Sequence, residues 1–244
     1  MHIIGPPRRP ELDQYALKFV IGAIAFSLPF IEMALTRFDI NSISASFWWS
    51  FRPEPSATWL VLWPRNIFVG FLLAIAAFML TYNGKTELEM WLTKIASLAA
   101  CGVAMFPCDY AESGVLLIKY VHISSAVVMY AVLTAFCLIF LRRARAKGHR
   151  EARLRVKVYA ACIVSMAISI GLILYYTLTH QYPKLVLAGE SGGLVAFGIS
   201  WLTASHVLPW INSGEEQKSL VRNTAPTSSA LGTKAGPTAA SRNQ

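Results

Sequence analysis

Six stretches of about 20 mostly apolar residues, joined by short polar connections, leave this chain few ways to fold. They run Tyr15–Leu35, Asn66–Tyr82, Trp91–Phe106, Val121–Leu141, Val158–Thr179 and Gly192–Ile211. Each is close to the length a helix needs to cross a bilayer. In hydrocarbon every backbone polar group must be satisfied within its own segment, and a helix does that. The expected fold class is all-α: a polytopic transmembrane helical bundle with six spans. Pro29 interrupts the first span, which is tolerable where neighbouring helices or water satisfy the freed carbonyl. Arg8, Arg9 and Lys18 precede the first apolar run as they would in a signal peptide. That run is long and no small-x-small cleavage site follows it, so a retained helix is expected.

Composition agrees. Apolar residues make up 55% of the 244 and charged residues 14%, with a mean hydropathy of +0.48. A soluble domain carries roughly 25% charge, so this chain lacks the polar surface of a soluble enzyme. The same numbers argue against a disordered protein and a disulfide-stapled module. The four cysteines show no metal or disulfide spacing.

The net charge of +9 is unevenly placed. With alternating sides for the connections, Arg37, Arg52, Arg65, Lys119 and Lys184 fall on one side. The other seventeen of the 22 Lys+Arg fall opposite. The positive-inside rule then places both termini in the cytoplasm. An odd number of spans would disturb that partition. Much of the bias comes from Arg142, Arg143, Arg145, Lys147, Arg150, Arg153, Arg155 and Lys157, read as a topology signal with solvated helix extensions; an anionic-lipid patch is the sharper alternative. Nucleic acid is not expected as a partner, because no interleaved aromatics or recognisable fold accompany the charge. The expected organisation is a cytoplasmic segment over 1–14, the membrane domain over 15–212, and a disordered cytoplasmic tail over 213–244, where Ser, Thr, Ala, Gly, Pro and Asn dominate.

Polar residues gather at the outer ends of the spans. Glu32 closes the first, Ser42, Ser44 and Ser46 lie in the following loop, and Arg65 and Asn66 open the second. Asp109 follows the third, His122 opens the fourth, His180 closes the fifth and Glu190 precedes the sixth. Arg65 is a permanent cation whose fork suits carboxylate or phosphate, and His122 brings an imidazole, a group suited to general acid–base work. Together these residues suggest an outward-facing polar pocket for a lipid headgroup or small anion. The loop Phe47-Trp48-Trp49-Ser50-Phe51 reads as an interfacial aromatic belt, with a lid over that pocket as the alternative. No haem pair is expected, since His122 and His206 lie toward opposite faces. No resident metal is expected either, because no two-His helical spacing supports one.

Several short motifs carry a resemblance: Ser42-Ile43-Ser44-Ala45, Arg65-Asn66-Ile67-Phe68-Val69-Gly70, Gly102-Val103-Ala104-Met105-Phe106-Pro107, His122 with Ser124-Ser125-Ala126, and Ala196-Phe197-Gly198-Ile199-Ser200-Trp201. The chain resembles a group of bacterial six-helix membrane proteins of unknown function and, more distantly, the DRAM/Sfk-type membrane proteins. Ala45-Ser46 delays the aromatic of the first motif by one position. The resemblance implies Ser44, Arg65, Asn66, Asp109 and His122 as site positions, and no activity. The alkaline-ceramidase and progestin-receptor-like membrane hydrolases are a further comparison, but this chain lacks their His-x-x-x-His pair and seventh helix.

The resulting expectation is a multi-pass protein of the bacterial inner membrane, without cofactor, binding through Glu32, Ser44, Arg65, Asn66, Asp109 and His122. A metal-dependent or acid–base lipid hydrolase and a small-solute transporter are the alternatives. Membrane lipids are the expected partners, with a homo-oligomer or a second membrane protein left open.

Overall fold

The computed structural model describes residues 13–51, 62–108, 116–148 and 150–208. Six helices follow in order: α1 Gln14–Leu35, α2 Trp63–Thr81, α3 Glu87–Met105, α4 Leu116–Lys147, α5 Arg150–Thr179 and α6 Lys184–Ala204. A short 3-10 segment, Ser44–Phe51, lies between α1 and α2. All six helices are long and apolar enough to cross a membrane, and no strand occurs among the described residues.

Local chemistry sets the helix starts. The Asp13 carboxylate caps α1 by accepting from the Tyr15 amide at 2.9 Å. Pro64 occupies the first turn of α2, where a missing N–H costs nothing. Thr86-Glu87-Leu88-Glu89 carries the capping-box pattern, and Thr86 caps α3: its Oγ1 accepts from the Glu89 amide at 3.3 Å, while the Glu89 carboxylate accepts from the Thr86 hydroxyl at 3.2 Å and the Lys85 amide at 3.1 Å. This box starts α3 four residues before the apolar run. α1 continues through Pro29 as one helix.

Five of the six spans depart by more than a residue from the apolar stretches, most of all the last three. α4 runs on past Leu141 to Lys147, and α5 begins at Arg150 rather than Val158. The basic connection is thus helical almost throughout, turning at Gly148 with φ of +74°. Ala, Arg, Lys and Glu are strong helix formers, so the helices continue where hydropathy ends. The sixth span corrects the expectation: it starts at Lys184 and ends at Ala204, so Glu190 lies inside α6 instead of preceding it. Gly189, Gly192 and Gly193 had lowered the hydropathy of its first turns. Of the expected terminal segments, 1–14 and 213–244, residues 1–12 and the whole of 213–244 lie outside the described residues.

Each helix packs on its sequence neighbours, and α6 closes on α1 to complete a ring, with α4 also touching α6. The α1–α6 crossing is close. A Cβ on Gly22 would lie 2.9 Å from the Gly198 carbonyl oxygen, and one on Gly198 would lie 2.7 Å from the Phe26 amide nitrogen. Small residues are what allow membrane helices to approach this far. Trp201 of α6, fully buried, sits among Tyr82, Phe136, Phe140 and Phe197 at ring-centroid distances of 5.3–5.9 Å. Leu98, Val127, Ile168 and Leu178 face outward, the distribution expected of helices surrounded by lipid.

Candidate functional site

An up-and-down ring has two ends, and all the expected site residues that are described lie at one of them. Glu32 is in the last turn of α1, Ser44 opens the 3-10 segment, Arg65 and Asn66 are in the first turn of α2, and His122 is in the second turn of α4. Asp109 lies outside the described residues. Glu32, Ser44 and His122 are buried, Arg65 is half-buried and Asn66 is exposed.

The strongest local organiser is Glu190. One of its carboxylate oxygens accepts from Ser42 Oγ at 2.7 Å, from the Ile43 amide at 2.5 Å and from the Ser44 amide at 3.3 Å. The other accepts from Ser44 Oγ at 2.7 Å. A carboxylate receiving two backbone amides at the start of a helical turn is well placed for its charge. Nearby, the Lys184 ammonium donates to the carbonyls of Phe38 and Ile40, both at 2.7 Å. These bonds stitch the loop after α1 to the start of α6. Ser44 therefore serves this clasp. The missed role of Glu190 had a signal: a lone carboxylate among the apolar and glycine residues of a span is costly and needs a partner.

Glu32 is the opposite case. It is fully buried, and among the described residues neither carboxyl oxygen has a hydrogen-bond partner. The Ser46 hydroxyl and the Phe68 backbone face it without closing a hydrogen bond. Phe47, adjoining Ser46, stacks on Arg65, with the guanidinium carbon 4.5 Å from the ring centroid. Arg65 itself lies one turn before Phe68. Glu32 and Arg65 thus lie at the same end of the ring and each meets the 3-10 segment, Glu32 at Ser46 and Arg65 at Phe47. Stacking occupies the face of a guanidinium, whose donors lie in its plane.

His122 joins α4 to α3. Its Nδ1 lies 2.7 Å from the Phe106 carbonyl, which can only accept, so the proton is on Nδ1. Among the described residues, no three His, Cys, Asp or Glu side chains gather in a way that could hold a metal. His122 and His206 sit at opposite ends of the ring.

Comparison with protein-family models, with curated proteins and with solved structures finds no match. Function is therefore argued from the geometry of the chain itself.

Proposed function

We propose that this is a six-span protein of the bacterial inner membrane, both termini cytoplasmic, that holds a lipid headgroup at its outer end. The observation that carries the reading is the wholly buried Glu32 carboxyl, with no hydrogen-bond partner among the described residues, at the same end of the ring as the Arg65 guanidinium. A zwitterionic headgroup suits both residue types, with its phosphate toward the Arg65 fork and its ammonium toward Glu32. Asn66, exposed beside Arg65, supplies a further donor, and Asp109 completes the expected set. Ser44 and His122 hold the frame around it, through Glu190 and the Phe106 carbonyl.

The test is lipid retention by the full chain in nanodiscs containing phosphatidylethanolamine and phosphatidylglycerol, read by native mass spectrometry. Arg65→Ala is expected to weaken retention of both lipids about tenfold, the equivalent of one charge-assisted contact. Glu32→Gln is expected to remove the preference for the ethanolamine headgroup. Unchanged retention in both variants would end the proposal.

A further inference from the structure

Three sulfur atoms gather where α4 packs on α5, away from the residues of the outer end. Cys137 of α4 and Cys162 and Met166 of α5 are all buried, none more than 4% exposed. The Cys137 thiol points at the Met166 thioether, with Sγ 3.8 Å from Sδ. Cys162 stands one turn before Met166, and side chains four apart on a helix are neighbours on one face. Cys162 is also an electrostatic neighbour of Cys137, and Tyr159, a turn earlier on α5, is a neighbour of both thiols. The two cysteines therefore approach each other across the α4–α5 seam, with the thioether beside them.

The hydroxyls around the sulfurs are already engaged. Thr134 Oγ1 lies 3.8 Å from Met166 Sδ and donates to the Tyr130 carbonyl at 2.8 Å. From α6, the Ser200 hydroxyl faces Cys137 and donates to the Phe197 carbonyl at 2.8 Å.

A buried free Cys packs as a small hydrophobe, and other small or apolar residues would fill a helix seam as well. What three sulfurs add is a set of soft ligands. Thiolate and thioether sulfur suit Cu(I), whereas carboxylate, carbonyl and water suit harder ions. A metal–sulfur bond of about 2.3 Å places two ligands of a trigonal site about 4 Å apart. The Cys137–Met166 separation of 3.8 Å is close to that spacing. Met166 supplies the third ligand that His, Cys, Asp and Glu by themselves do not provide among the described residues.

We propose that Cys137, Cys162 and Met166 hold one Cu(I) ion between α4 and α5. Copper enters as the cuprous ion and stays so, and no electron moves. One thiol gives its proton to solvent as its sulfur–copper bond forms, since metal binding displaces the proton of a ligating cysteine. One positive charge replaces another, so the site's net charge is unchanged. That balance matters inside a span, where an added charge is costly. The site shares no residue with the headgroup site proposed at the outer end.

The full chain, purified in detergent under reducing and oxygen-free conditions, is mixed with Cu(I) held in its coloured bis-bicinchoninate complex. Loss of colour is expected to report one Cu(I) taken up per chain. X-ray absorption at the copper edge is expected to show sulfur as the only ligand type. Cys137→Ala, Cys162→Ala and Met166→Leu are each expected to weaken uptake about tenfold. The double variant Cys101→Ser/Cys108→Ser removes the two half-buried thiols elsewhere and is expected to leave uptake unchanged. Met166→Leu conserves the volume of the seam, so it tests the ligand even if a cysteine variant does not fold. A packing role alone would shift the unfolding temperature of these variants and leave copper uptake as it was. No copper uptake, nitrogen or oxygen ligands at the copper edge, unchanged uptake in the three sulfur variants, or uptake lost with Cys101 and Cys108 would overturn the proposal.

Discussion

Glu190 concentrates more donors than any other described side chain at its end of the ring: two hydroxyls and two backbone amides, from residues nearly 150 positions earlier. Replacing it with Ala strips all four at once. Unsatisfied buried donors cost about 1–3 kcal/mol each, reduced where water reaches them. A loss of about 2–4 kcal/mol is expected for Glu190→Ala, with a smaller one for Glu190→Gln, which keeps an acceptor. Thermal unfolding in detergent checks both, and an unchanged midpoint for Glu190→Ala would show the clasp to be incidental. The polar character of Ser42 and Ser44 was visible in the sequence. Their acceptor was not, because hydropathy placed Glu190 outside the sixth span. The burial of Glu32 was likewise invisible: a carboxylate at a span end reads as snorkelling to water until the 3-10 segment is seen to cover it.

Among the elements, the α1–α6 pair shows how the ring closes. In Gly198→Ala the new methyl would press on backbone atoms of Phe26 and Gly22 at 2.7–2.8 Å, and backbone cannot yield as a flexible side chain can. The helices would have to separate, at a cost of about 1–3 kcal/mol. Gly70→Ala on α2 is the matched control, since a Cβ there meets nothing within 4 Å; it is expected to be neutral or slightly stabilising. Equal midpoints for the two variants would remove the close crossing from the account. Element identity was legible throughout, whereas boundaries were legible only where polarity and helix end coincide. α1 begins and ends within a residue of its apolar run, because Asp13 and Thr36 flank it closely. α4 and α5 outrun theirs by two turns, because charged helix formers continue the backbone geometry without the hydropathy.

At the scale of the whole molecule, one arrangement decides which end meets which compartment. Arg153→Cys and Tyr182→Cys, both at exposed positions toward opposite ends, separate the possibilities. A membrane-impermeant maleimide applied to intact cells is expected to label the Tyr182 variant above the parent chain and to leave the Arg153 variant unlabelled until the cells are opened. The reverse pattern would exchange the faces of the two ends of the ring.

The amino-acid order by itself determined that six helices are long and apolar enough to cross a membrane and that most of the cationic charge falls in alternate connections. Both follow from sums along short stretches: span length from local hydropathy, because a helix satisfies its own backbone in lipid, and sidedness from counting Lys and Arg in the connections. Tertiary structure alone decided that the Cys137 thiol meets the Met166 thioether, that Glu32 is enclosed, and that Glu190 meets Ser42 and Ser44. Those depend on the rotation and register of each helix against its neighbours, which arise only when small residues let α6 close on α1.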